Sequence, residues 1–190
     1  MIGLNSYGLA VGGNMMTQTD EKPGVPRVTL TRAALDCKSI KDAQKILRDK
    51  NRASSYNVTL LDAEGTALDL EGSATDMGKF GPGMDGLIWH TNHYMHSKMK
   101  EYEGRGPDDM PWTVARDRRA KELLKKYSGQ IDLEIVKTIL RDHADSSVGS
   151  ICCHMKDVET VFSVILDPSE KVLWLAMGNP CRSEYKRHKV

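Results

Sequence analysis

The sequence predicts a layered α+β domain, a sheet-on-sheet core covered by helices. Three observations carry this prediction. A period-two run lies at residues 55–60, and two near-continuous apolar strands lie at 161–166 and 172–177. Helical spacing falls into two groups, one around Leu30 to Leu47 and the other around Ala120 to Leu140. A length of 190 residues, 39% hydrophobic and 28% charged, suits one domain over 1–190 with a core of its own.

The elements follow in order. Residues 4–16, with Gly3 just before them, set Leu9, Ala10 and Val11 beside Gly8, Gly12 and Gly13, the pattern of a strand meeting tight turns. After Pro23 and Pro26, Leu30, Ala34 and Cys37 share one helical face, which reads Cys37 as core. Ser39 is the N-cap of a second helix, with Asp42 at the capping-box position and Ala43, Ile46 and Leu47 turned inward. Tyr56, Val58 and Leu60 then alternate with Ser55, Asn57 and Thr59 in a strand. Glu64-Gly65 turns the chain, and Leu68 and Leu70 alternate with Asp69 and Glu71. Leu87-Ile88-Trp89 is a short apolar strand, and the polar, Gly- and Pro-rich stretch 97–113 a surface loop. Ala120, Leu123, Leu124 and Tyr127 predict a helix ending at Ser128-Gly129, and Val136, Ile139 and Leu140 another. The closing strands are joined by a turn at 167–171.

Composition excludes several classes of function. A net charge of +1 gives no electrostatic case for a nucleic-acid or acidic partner, and the basic run 186–189 reads as a solvated end. The longest clean apolar run, 172–177, is far too short to span a membrane. Asn5 and Ser6 interrupt any signal-peptide pattern. Cysteines at 37, 152, 153 and 181 make no disulfide framework, because 152 and 153 are neighbours. A reduced, cytoplasmic protein is expected.

Three histidines, His90, His93 and His96, fall within seven residues. On a strand they divide between faces, and on a helix they spread over a broad arc. Neither arrangement converges on a metal, and zinc-type spacings with carboxylate partners are missing. They read as polar residues that satisfy one another, so neither metal nor cofactor is expected. Cys152-Cys153-His154 could place a thiol beside its base, but adjacent side chains on a strand point apart, which favours structural cysteines. Asp108-Asp109 and Asp142-His143 carry no specific signal, and Gly12-Gly13 fits neither phosphate-binding glycine pattern.

Four stretches in order resemble the autoproteolytic acyltransferases and amidohydrolases of peptidase family C45, typified by acyl-CoA:6-aminopenicillanic acid acyltransferase. They are residues 2–14 (IGLNSYGLAVGGN), His90-Thr91-Asn92-His93, Ser150-Ile151-Cys152, and the strand pair ending at Gly178. The resemblance implies an αββα sandwich of the N-terminal-nucleophile hydrolase type. It further implies a precursor that cuts itself before a cysteine, whose freed α-amino group serves as base. An α-amino group titrating at about 7.7–8.0 can take a thiol proton at neutral pH. The acyl-enzyme formed from a small-molecule amide or acyl thioester then passes to water or to an amine.

By the same resemblance Asn92 is the oxyanion-hole donor, and His90, Thr91 and His93 support it by orienting the loop. Asn14 stands where related amidases place a second asparagine whose main-chain N–H completes the hole, with Gly13 allowing close approach; an ordinary turn asparagine is the alternative. None of Cys37, Cys152, Cys153 or Cys181 matches the nucleophile's position, which lies upstream of residue 2. The fold is therefore expected to be incomplete at its N-terminus, with a segment or partner chain carrying the nucleophile. Cys153 stands where many relatives carry an arginine. The alternative to an enzyme is a non-catalytic binding module that keeps the second half of the fold.

Overall fold

The computed structural model describes residues 1–106, 108–143, 150–156 and 158–190. Pro107, inside the predicted surface loop, lies outside them. Strands β1 (Ile2–Leu4), β2 (Ala10–Met15), β3 (Tyr56–Leu61), β4 (Ala67–Gly72) and β5 (Met77–Phe80) form one antiparallel sheet in that order. Helices α1 (Arg27–Ala34) and α2 (Ile40–Leu47) are inserted between β2 and β3. Helices α3 (Pro111–Lys126) and α4 (Leu133–Leu140) precede a second antiparallel sheet, β6 (Phe162–Asp167), β7 (Val172–Met177) and β8 (Lys186–Lys189).

The five-stranded sheet buries both faces, with opposite chemistry. Val11 pairs with Leu60, and Val58 with Leu70, so the apolar residues of β2, β3 and β4 share one face. That face packs on Leu30, Ala34, Ala43 and Leu47 of α1 and α2. Truncating a side chain as enclosed as Leu60 or Leu70 to alanine typically costs about 2–5 kcal/mol. The helices are set as their sequence requires. Ser39 Oγ accepts from the Asp42 N–H at 3.1 Å, so α2 starts at the predicted cap. Gly65 turns β3 into β4 at φ +83°, a conformation that favours glycine. Cys37 falls beyond the end of α1, half-buried against the same core.

The opposite face carries Asn14, Asn57, Thr59, Asp69 and Glu71, from the alternate positions of the same strands. Asn57, Asp69 and Glu71 are fully enclosed. Here the polar half of the period-two pattern meets other protein groups rather than water. Asp69 accepts from the Asn57 amide and the Thr59 hydroxyl. Burial raises the Asp69 pKa, and those hydrogen bonds only partly oppose it.

Three predicted elements need correction. Leu87-Ile88-Trp89 is not a strand, and the strand in that region is β5. Residues 81–86 are rich in glycine, and 87–96 are held by side-chain bonds that compete with strand pairing. The stretch 97–113 is not all loop. Ser97–Tyr102 forms a 3-10 helix around the fully buried Met99, and Pro111 opens α3 at the first-turn position that tolerates proline. The basic run 186–189 is exposed as expected, but it is strand β8, paired with β7. No described helix is long and apolar enough to cross a membrane.

Candidate active site

The turn 90–96 is anchored from beneath by one carboxylate. Glu71 Oε1 lies 2.8 Å from His90 Nε2 and accepts from the Met95 N–H at 2.7 Å, while Oε2 accepts from the His96 N–H at 2.9 Å. The other ring nitrogen of His90, Nδ1, faces the Thr91 carbonyl at 2.7 Å. Both nitrogens therefore point at acceptors, which only the doubly protonated ring satisfies. Burial opposes that charge, but the Glu71 hydrogen bond, the fields of Asp69 and Glu71 and the Thr91 carbonyl together raise the His90 pKa.

His93, three residues on, is the opposite case. Its Nδ1 lies 3.1 Å from Thr91 Oγ1 and 3.2 Å from Thr113 Oγ1. Burial holds its pKa down, with the Asp117 charge only partly opposing. Thr113 in turn accepts from the Asn92 N–H at 2.7 Å, leaving its own proton for His93. His93 and α3 thus fix the main chain at Asn92.

Asn14 holds the same turn from the sheet. Its amide donates to the carbonyls of His90 at 3.1 Å and Thr91 at 3.0 Å, so both its hydrogens are used. The main chain around it is engaged as well. The Gly13 N–H donates to the Met1 carbonyl at 2.8 Å, and Asn14 stands opposite Asn57 in the ladder. A Cβ at Gly13 would meet only ordinary contacts, from 3.5 Å, and one at Gly12 would meet none within 4 Å. The chain's own packing therefore does not demand glycine at either position.

Asn92 itself lines a cavity of about 320 Å3 shared with Met15, Trp112, Arg116 and Cys153. Its amide nitrogen donates to the Met15 carbonyl at 2.9 Å, and its oxygen accepts from Arg116 Nη2 at 2.8 Å. The second amide hydrogen has no partner among the described residues. Burial lowers the Arg116 pKa, and among the described residues no carboxylate pairs with its guanidinium. Cys153 donates from Sγ to the Val158 carbonyl at 3.2 Å. This wall can present an oriented amide N–H and an unpaired cation to a developing negative charge. A larger groove of about 500 Å3, walled by Phe80, Met84, Leu87 and Trp89, does not include Asn92.

Sequence reasoning missed Arg116. It sits on a highly charged helix with no motif around it, and only the fold brings it to Asn92. It also missed the clustering of His143 with Cys152, His154 and Cys181.

In architecture the chain is a mixed helix-and-sheet fold whose structural neighbours have the N-terminal-nucleophile hydrolase fold. It is similar in structure to two variants of conjugated bile acid hydrolase from Clostridium perfringens, with TM-scores of 0.57 and 0.58 and identities of 12% and 13%. Each likeness covers all of this chain and 76% of the other. It is similar also to penicillin V acylase from Agrobacterium tumefaciens, with a TM-score of 0.62 and 14% identity, over 93% of this chain and 62% of that one. At such identities the likeness speaks for the fold alone. Family membership comes from the sequence: the model of the acyl-coenzyme A:6-aminopenicillanic acid acyl-transferase family matches residues 1–182, and the chain belongs to that family. No curated protein matches it by sequence.

Proposed function

We propose that this chain is the body of a hydrolase or acyltransferase acting on non-ring C–N amide bonds through a cysteine acyl-enzyme. The nucleophile lies on a segment or chain upstream of Ile2. In this reading the two sheets are the inner layers of an αββα sandwich that the upstream segment completes. The substrate is a small-molecule amide or acyl thioester; the similar structures are named as a conjugated bile acid hydrolase and a penicillin V acylase, and the family description names an acyl-coenzyme A.

The observation that carries the reading is the fixing of Asn92. Its main chain is held by Thr113 and its amide by Met15 and Arg116, on the wall of a cavity. Its free amide hydrogen is the oxyanion donor. Asn14 supports the hole through its side chain, by holding the carbonyls of His90 and Thr91. That role fits better than donation from its main-chain N–H, because Asn14 is in register with Asn57 of β3. His90, Thr91 and His93 position the turn, and the Arg116 guanidinium adds positive charge beside the amide.

Covalent labelling of the native gene product with an activated acyl ester, followed by peptide mapping, tests the proposal. Label on a cysteine upstream of Ile2 is expected. Label on Cys153, which lines the same cavity, would move the nucleophile into this chain. No acyl adduct anywhere would leave the non-catalytic binding module.

A further inference from the structure

Away from Asn92, four side chains from three separate parts of the chain converge. His143 follows α4, Cys152 and His154 lie in the segment before β6, and Cys181 lies between β7 and β8. Their ligand atoms all lie within 4.8 Å of one another. His154 Nε2 is 3.0 Å from His143 Nε2, 3.4 Å from Cys152 Sγ and 3.2 Å from Cys181 Sγ.

One proton at His154 Nε2 cannot serve all three of these contacts. A neutral imidazole nitrogen offers one hydrogen or one lone pair, yet three groups crowd His154 Nε2. A single cation at the centre would take a lone pair from every member. With bonds of about 2.0–2.1 Å to nitrogen and 2.3 Å to sulfur, a tetrahedral site has edges of about 3.3–3.8 Å. The three separations from His154 Nε2 lie within a few tenths of an ångström of that range.

The segments are also held in place by bonds outside the cluster. The Cys152 N–H donates to the Asp142 carbonyl at 3.0 Å, and Ser150 Oγ donates to the Cys152 carbonyl at 2.6 Å. Arg141 Nε donates to the Pro180 carbonyl at 2.9 Å, fixing the residue before Cys181 against the end of α4.

We propose that His143, Cys152, His154 and Cys181 form a structural zinc site. Two nitrogens and two sulfurs without a carboxylate select a borderline-soft, tetrahedral ion such as Zn²⁺ over calcium, magnesium or manganese. On binding, each thiol gives its proton to solvent, and the two thiolates neutralise the ion's charge. Four protein ligands leave no open position, so the site braces the fold rather than performs chemistry. It ties the end of α4 to the β7–β8 connection. If the proposed function holds, it also steadies Cys153, the residue after Cys152, on the cavity wall.

Metal analysis of the full chain, purified reduced and without chelator from zinc-supplemented cells, tests this site. Wild type is expected to carry about one zinc per chain. Cys181→Ser and His143→Ala should lose nearly all of it, and Cys37→Ser should keep it. Cobalt substitution of wild type should give thiolate-to-metal charge-transfer and tetrahedral ligand-field bands, a readout independent of how the variants fold. Reduced wild type that binds neither zinc nor cobalt would overturn the proposal. So would undiminished zinc in the ligand variants, or a native Cys152–Cys181 disulfide detected by mass.

Discussion

Glu71 and His90 form an ion pair 2.8 Å long, with both side chains shut off from solvent. Glu71 also receives the N–H groups of Met95 and His96, so one carboxylate organises the whole turn that presents Asn92. A buried ion pair is not in itself strong evidence of stability. Here its consequence is geometric, because it fixes where the turn begins and where it ends.

Removing Glu71 should therefore do more than delete a contact. Glu71→Ala leaves a buried imidazolium and two main-chain donors without partners, a loss of about 3–5 kcal/mol by analogy with other broken buried pairs. Glu71→Gln keeps the shape but not the charge, and should cost less. Urea unfolding monitored by tryptophan fluorescence would rank the two. Equal stability of wild type and Glu71→Ala would mean that the turn is held by other groups.

The two histidines of the turn should titrate in opposite directions. His90 has a folded pKa raised above its ordinary 6.5, so its contribution to stability is complete below about 6.5 and is lost as pH rises through the folded value. His93 has a folded pKa below 6.5, so its contribution is complete above about 6.5 and is lost as pH falls towards the folded value. NMR titration of the ring nitrogens should find His90 still protonated, and His93 already neutral, at pH 6.5. A single shared midpoint would contradict the hydrogen bonds assigned to both rings.

Much of the fold was legible because one residue's neighbours decide it. The Ser39 cap, the Gly65 turn and the alternation of Tyr56, Val58 and Leu60 are local signals, and each appears where it was read. The same alternation could not tell that Asn57, Asp69 and Glu71 face protein instead of water. That depends on the turn 90–96 covering the sheet, a contact made across about 20 residues of chain in the Glu71–His90 pair. Leu87-Ile88-Trp89 looked like a strand for a related reason. Apolar runs of three residues do not distinguish a strand from a loop whose side chains pack or bond elsewhere, as Trp89 does with Asp117. Residues 90–93 were marked by family resemblance rather than by spacing, and Arg116 by neither.

Gly78 offers a packing test close to the same turn. A Cβ there would stand 2.8 Å from His96 Cγ and 2.9 Å from both His96 Nδ1 and Met99 Cγ. Met99 is fully buried and has no open space to retreat into, while His96 is only half-buried. Gly78→Ala should destabilise the protein by about 1–3 kcal/mol, as overpacking of enclosed sites does. Thermal unfolding beside Gly12→Ala, where a Cβ meets nothing within 4 Å, would separate this steric cost from the general effect of replacing a strand glycine.

Asn92 and Arg116 should prove unequal partners in the proposed reaction. Asn92→Ala removes the amide that faces the cavity, and loss of one oxyanion donor typically lowers kcat by about 10²–10³ with little change in KM. Arg116 acts on the same amide through a hydrogen bond to its oxygen, and adds a charge that no described carboxylate neutralises. Arg116→Lys keeps the charge but not the planar guanidinium that reaches Asn92 Oδ1, so it should lower kcat by less than Asn92→Ala does. Arg116→Met loses both and should be the worse of the two arginine variants. In the double variant with Asn92→Ala, most of the Arg116→Lys effect should vanish, because the amide it orients is already gone. Steady-state kinetics on the complete native enzyme would measure all four. Additive losses in the double variant would show that Arg116 works on the substrate directly and not through Asn92.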